Sequence, residues 1–429
     1  MAVALDLHKR ADKARQKKFE AERSKREPEG RMNAKITRRH TLAAFALAAT
    51  ALSPFAAHAE DVVKVGVILP MTGPSASTGR EIAAAIKLFQ AQKGDKAGGK
   101  KVEVIIKDDT GVADITKRLA QELIVNDKAS VIAGFGLTPL ALAVAPIATQ
   151  AKVPAVVMAA GTAIITEASP YIVRTSFTLP QNTMPIAQWA VKNGIKKVVT
   201  LVTDYGPGID AEKTFVATIK ENGGQVLDSL RSPLKNPEFA PFLQKAKDLK
   251  PDALFLFVPS GQGAALMKQV SERDFAKEGI KVIGTGDVTD DEQLNNMGDA
   301  VLGMITSHNY SADHDSPENK AYVAAFEKAN PGLRPNFMSV GGYDGMALIY
   351  AALDKTKGDT NGTKLVEAMK GMSWTSPRGP ISIDPETRDI IQNVYIRKVE
   401  KKNGQLYNVE FSTMANVKDP FKAAKAAKK

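Results

Sequence analysis

The stretch GVILPMTGPSASTG, residues 66–79, sets the end of an apolar run against a loop of hydroxyls and glycines. The run begins at Val62 and is long enough for a buried strand over residues 62–69, ended by Pro70. The loop offers Thr72, Gly73, Pro74, Ser75, Ser77, Thr78 and Gly79. Beyond it GREIAAAIKLFQAQ, residues 79–92, carries Ala and Leu on one helical face. Strand, small polar loop and helix together form the unit of a parallel sheet covered by helices.

The unit recurs. Strands are predicted at 102–107, 130–135 and 154–158, with helices at 113–126 and 139–150, the latter with Pro139 in its first turn. The polar, proline-rich TLPQNTMP, residues 178–185, reads as a connection. A second series follows, with strands at 197–203, 225–230, 253–258 and 281–284 and helices at 210–222, 238–249 and 263–273. Two more helices are expected at 317–330 and 339–354. Strands at 381–384, 393–399 and 407–412, around the turn Lys402-Asn403-Gly404, read as antiparallel. The fold class is α/β, with two lobes that are each a mainly parallel sheet flanked by helices.

In open sheets of this kind ligands bind beyond the carboxyl ends of the strands, where helix N-termini present unpaired N–H groups. The first series carries Thr72-Gly73-Pro74-Ser75, Gly134-Phe135-Gly136-Leu137-Thr138-Pro139 and Ala159-Ala160-Gly161-Thr162 at those places. All are small, hydroxyl-bearing or uncharged, a composition suited to close approach and hydrogen bonding to a small ligand, a carboxylate above all. The second series carries Asp204-Tyr205-Gly206, Pro259-Ser260-Gly261 and Thr285-Gly286-Asp287-Val288-Thr289-Asp290. Tyr205 is either a lid or a packing residue. Asp287 is a candidate acceptor for a cationic or donor group, Asp290 is expected to cap a helix N-terminus, and Asp108-Asp109 reads as structural.

Residues 32–59, MNAKITRRHTLAAFALAATALSPFAAHA, have the basic start, short apolar core and Ala57-His58-Ala59 end of a secretory signal. Cleavage is expected before Glu60, and Arg38-Arg39 leaves the twin-arginine route open beside the general one. The apolar core falls short of the roughly 20 residues of a membrane span. Residues 1–31 read as a disordered extension or a mis-assigned start ahead of Met32. Of the net charge of +11, residues 1–59 carry +7 and the lysine-rich tail at 418–429 carries +4. The body is therefore near neutral and no nucleic-acid partner is expected. The tail is expected to be a solvated, frayed charge run. There is no cysteine, which excludes disulfides, thiol catalysis, cysteine-held zinc and a lipidated cysteine behind the signal.

No catalytic constellation stands out. Beyond residue 59 the histidines are His308 and His314, and there is no G-x-S-x-G, H-E-x-x-H or G-K-[ST] pattern. Gly134-Phe135-Gly136 and Gly261-Gln262-Gly263 have Pro139 and Leu266 where a dinucleotide fingerprint needs its third small residue. No cofactor, metal or enzymatic activity is expected. His308 with Asn309-Tyr310 reads as a crossover segment.

Taken in order, VKVGVILPMTGPSASTG, KDDTGVADITKRLAQELIVNDKASVIAGFG, VPAVVMAAG, YIVRTSF, Asp204-Tyr205-Gly206 and GTGDVTDDEQL resemble the branched-chain amino-acid (leucine-binding) type of periplasmic solute-binding protein of ABC importers. The resemblance implies a type I two-lobed fold with three hinge crossings, near Ser176, Asn309 and Pro377. The lobes would comprise 60–176 with 309–376, and 177–308 with 377–417. Ligand would lie between them, its carboxylate on the Thr138 hydroxyl and on backbone donors at Ala159, Ala160 and Gly161, with Thr162 adjacent. Tyr205 would come from the second lobe, and the acid that takes an ammonium would fall at Gly286 or Asp287. Aromatics common in such proteins are replaced here by Thr78 and Ser260, which leaves an amino acid and an aromatic or short organic acid both open as ligand. The expectation is an exported, soluble, monomeric periplasmic binding protein without lipid anchor, delivering a small carboxylate to a membrane permease. A ligand sensor of the same fold and a periplasmic α/β enzyme are the alternatives.

Overall fold

The computed structural model describes residues 62–427. The expected export signal and N-terminal extension lie outside the described residues. In chain order the first lobe begins with β1 (Val62–Leu69), α1 (Ala76–Lys93), β2 (Lys96–Ala97), β3 (Lys100–Asp108), α2 (Ala113–Val125), β4 (Val131–Gly134), α3 (Thr138–Ala151), β5 (Ala155–Val157) and β6 (Ile172–Arg174). Its sheet runs β2-β3-β1-β4-β5-β6, parallel except for the small β2–β3 ladder. The second lobe follows with α4 (Leu179–Lys192), β7 (Lys197–Thr203), α5 (Gly206–Glu221), β8 (Gln225–Ser232), α6 (Ala240–Asp248), β9 (Ala253–Phe257), α7 (Gly263–Ser271), β10 (Lys281–Thr285) and β11 (Ile305–His308). The chain then returns to the first lobe as α8 (Pro317–Ala329), α9 (Phe337–Lys355) and α10 (Gly362–Met369), of which α8 and α9 pack on α1. It ends as β12 (Ser373–Ser376), β13 (Gly379–Ile383), β14 (Ile390–Lys402), β15 (Gln405–Val417) and α11 (Pro420–Ala426). The second sheet runs β12-β13-β14-β11-β10-β9-β7-β8, with β15 beside β14.

Both sheets are covered on both faces, which is why their strands read as nearly unbroken apolar runs. In β1, Val63, Val65, Val67 and Leu69 join the core beneath α1 and α9, and Ile68 joins the core beneath α2 and α3. The two faces of the second sheet are filled likewise, Phe215 and Phe255 stacking at 4.1 Å on one side and Leu254, Leu256 and Leu266 packing on the other.

Two sequence expectations give way. Residues 178–185 are not a connection but the start of α4: Thr178 and Gln181 form a reciprocal capping box, Pro180 sits in the first turn where no N–H is missed, and Pro185 is tolerated farther in. The tail is not a frayed charge run, because α11 packs and Lys422 is buried against Asp389 and Thr166. The third crossing is expected near Pro377. β12 and β13 belong to the second sheet by pairing, yet Trp374 and Ser376 bond to Asp344 of α9, and Arg388 bonds to the Ile172 carbonyl. The passage is thereby spread over residues 373–392, and the nine-stranded sheet itself runs through it.

Candidate ligand-binding site

The carboxyl ends of β1, β4 and β5 face those of β7, β9 and β10 across a cleft with about 400 Å³ of non-atom space, part of it continuous with solvent. Thr78, Thr138, Ala159, Ala160 and Gly161 line it from the first lobe, and Tyr205, Ser260 and Asp287 from the second. Helices α1, α3 and α5 start at this cleft without side-chain caps, so the positive ends of their dipoles lie there, although the Ala76 and Leu140 N–H groups are taken by the Gly73 and Leu137 carbonyls and the second residue of both α3 and α5 is a proline.

Thr162 stands one layer behind. Its Oγ1 lies 2.7 Å from that of Thr138. With Thr162 donating, the Thr138 hydroxyl hydrogen is free to point at a ligand. Gly206, opening α5, closes on this pair: a Cβ there would lie 2.5 Å from Thr162 Oγ1, so only glycine lets the second lobe come this near.

The three backbone donors expected at Ala159–Gly161 need one correction. The Ala160 N–H is given to the Phe135 carbonyl at 3.1 Å, extending the β4–β5 ladder into the loops, and is not free for a ligand. The Gly161 N–H has no acceptor among the described residues, while the Ala160 carbonyl points away to Arg174 Nη1 at 3.2 Å.

In the second lobe Asp287 accepts from Thr285 Oγ1 at 2.8 Å and lies 3.4 Å from His308 Nε2. His308 is wedged against Phe177 and Phe337, and burial lowers its pKa, keeping the imidazole neutral. Tyr205 is lid and packing residue at once, lining the cleft and stacking on Phe257 at 6.1 Å. Burial, then the Asp287 charge, raises its phenol, which stays a neutral donor. Asp287 is the one charged side chain among the lining residues.

The apolar walls were not singled out in the sequence. Phe177, Leu179, Phe257 and Met338 supply them, from the first crossing, the start of α4, the end of β9 and the first turn of α9. Two capping signals were available: Thr178-x-x-Gln181 before Leu179's helix, and Asn336, whose side chain accepts from the Met338 and Ser339 N–H groups.

A family model described as periplasmic binding protein matches residues 62–405. The chain belongs to that family. A solute-binding protein of an ABC transporter from Rhodopseudomonas palustris BisB5, solved in complex with 3,4-dihydroxybenzoic acid, is 63% identical, with 85% of this chain and 100% of that one covered at a TM-score of 0.83. A second R. palustris solute-binding protein, in complex with 4-hydroxybenzoate, is 44% identical with 84% and 99% covered and a TM-score of 0.81. Leu/Ile/Val-binding protein homolog 6 of Brucella abortus (strain 2308) is 45% identical over 385 residues, 88% of this chain and 98% of the relative.

In this periplasmic binding protein the rim of the cleft is an acidic contact between lobes. Asp290 is not a helix cap: its carboxylate accepts from Ser260, from the Glu292 N–H and, at 2.9 Å, from Asn336 of the first lobe, while Glu292 meets Ser77 and, at 3.4 Å, Arg80. Burial, with the Glu292 charge adding to it, pushes Asp290 up to about 7. Glu81, fully buried on α1, is held well above the usual carboxylate range by burial first and then by Glu292 and Asp290. A carboxyl whose pKa is raised by folding favours the folded state fully below its unfolded value, and that contribution is lost as pH rises through the folded one. The thermal midpoint, followed from about pH 4 to about pH 8, is expected to fall with rising pH at this site, and Asp290→Asn to flatten that slope. An unchanged slope in the variant would place the titration elsewhere.

Proposed function

We propose that the protein captures a hydroxylated aromatic acid of the 4-hydroxybenzoate or 3,4-dihydroxybenzoate type outside the inner membrane, without chemical conversion, and delivers it as a monomer to the permease of an ABC importer. The observation that carries this reading is the composition of the cleft lining. Uncharged donors (Thr138, Gly161 and the α3 N-terminus) come from the first lobe, Asp287, the one charge, comes from the second, and Phe177, Phe257 and Met338 supply apolar walls. A carboxylate meets the donors, the ring fills the apolar slot, and a ring hydroxyl donates to Asp287. The ligands bound to the two R. palustris proteins support the same reading.

The export signal read at residues 32–59 supplies the route to that compartment, and among the described residues no helix is long and apolar enough to cross a membrane. One observation keeps a second reading in play: Asp287 is also chemically fit to receive an ammonium, as a leucine-type ligand would need.

Thermal melting and calorimetry against 3,4-dihydroxybenzoate, 4-hydroxybenzoate, benzoate and leucine separate the two. A ligand that binds only the folded state adds about 2.7 kcal/mol at a hundredfold excess over Kd, so the hydroxybenzoates are expected to raise the midpoint and leucine to leave it. Asp287→Asn is expected to reduce the preference for 4-hydroxybenzoate over benzoate while sparing benzoate itself. Stabilisation by leucine and none by aromatic acids would overturn the proposal.

A further inference from the structure

We propose that the C-terminal helix α11 belongs to the ligand site at one remove, Lys422 acting through Asp389 and Arg174 to hold the Ala160–Thr162 segment with its Gly161 N–H facing the cleft. This rests on the reading of that segment as the carboxylate-binding side. Arg174 is fully buried behind the segment. Its guanidinium donates to the Ala160 carbonyl at 3.2 Å, the Phe177 carbonyl at 2.9 Å and the Thr162 carbonyl at 2.7 Å, and its Nε lies 2.9 Å from Asp389. A peptide unit sends its N–H opposite to its C=O, so pinning the Ala160 carbonyl on Arg174 turns the Gly161 N–H the other way, into the cleft.

Asp389 is shared. Its second oxygen takes the Lys422 ammonium, which also bonds to Thr166 Oγ1 at 2.6 Å. Arg174, Asp389 and Lys422 are all buried. Removing charges from water is costly, and Arg174 Nε and Asp389 Oδ1, which have no hydrogen-bond partner among the described residues, are compensated by each other as an ion pair. Asp419, buried too, and Asp210, whose carboxylate accepts from the Ala163 N–H at 2.8 Å, stand within charge range of the same cations. Lys422 and Arg174 are positioning residues; neither lines the cleft.

The test is Lys422→Met in the otherwise unchanged protein, with Lys422→Arg as rescue, and Lys107→Met, which removes a surface pair with Glu122 and Asp127, as control. Calorimetric titration with 3,4-dihydroxybenzoate is expected to show Kd raised on the order of tenfold in Lys422→Met, largely restored in Lys422→Arg and unchanged in the control. In the ligand-free protein the Gly161 amide, followed by 1H–15N NMR, is expected to shift and exchange faster in Lys422→Met alone. Thr166→Val, a milder cut in the same network, gives the same two readouts if Lys422→Met does not fold. An unmoved Gly161 amide overturns the proposal, whatever happens to affinity. Wild-type protein that ignores aromatic acids would overturn the ligand reading instead, and the amide measurement would still decide the role of Lys422.

Discussion

Arg378→Met is expected to lower the free energy of unfolding by about 3–5 kcal/mol, the largest loss from any single substitution at the crossings. Arg378 is fully buried. Its Nε and Nη2 donate to Asp344 of α9 at 2.9 and 2.6 Å, its Nη1 to the Ser176 carbonyl and Gln392 at 2.9 Å each, and its Nη2 also to the Thr175 carbonyl at 2.5 Å. One side chain thus joins the first crossing to the third and both to a first-lobe helix. Methionine fills part of the space but leaves Asp344 buried with Ser376 and Trp374 alone, its pKa already raised by burial and held down chiefly by Arg378. Lysine restores charge without the fork and is expected to recover only part of the loss. Urea denaturation of the three proteins checks this; a change under about 1 kcal/mol for methionine would mean the crossings are held by packing alone.

Thr138→Ala is expected to cost about 1.5–3 kcal/mol of binding free energy for an aromatic carboxylate, the range for a hydrogen bond to a charged group. Thr138 is the first residue of α3 and its hydroxyl is backed by Thr162, so the loss removes a fixed donor rather than a mobile one. Folding is expected to change little, because the side chain faces the cleft. Calorimetry with 3,4-dihydroxybenzoate and with its neutral amide separates the two contributions: the carboxylate loses affinity and the amide much less. Equal losses would assign Thr138 to shape rather than to charge.

The strand ends were legible because a parallel sheet punctuates itself. Each buried run stops at Pro, Gly or a hydroxyl, and the chemistry sits in the next few residues, which brought Thr138, Gly161, Tyr205 and Asp287 to one cleft. The apolar walls were not, since Phe177 and Met338 meet only after the chain has crossed between lobes and returned, and nothing local marks that meeting. Pro180 and Pro185 disguised α4, although Thr178 and Gln181 announced its start. Free backbone donors are equally hidden: Ala160 and Gly161 look alike in sequence, and only the ladder bond to Phe135 tells them apart. Lys422 resembles its exposed neighbours in the tail, because its partner Asp389 lies thirty-three residues upstream.

A crystal structure of the protein grown with 3,4-dihydroxybenzoate tests the central claim, that uncharged dipoles of one lobe grip an anion on which the other lobe closes. The expected result is the carboxylate within about 3 Å of Thr138 Oγ1 and the Gly161 amide, with a ring hydroxyl on Asp287. A ligand outside the interlobe cleft, or one seated there with its carboxylate touching neither Thr138 nor Gly161, would contradict it.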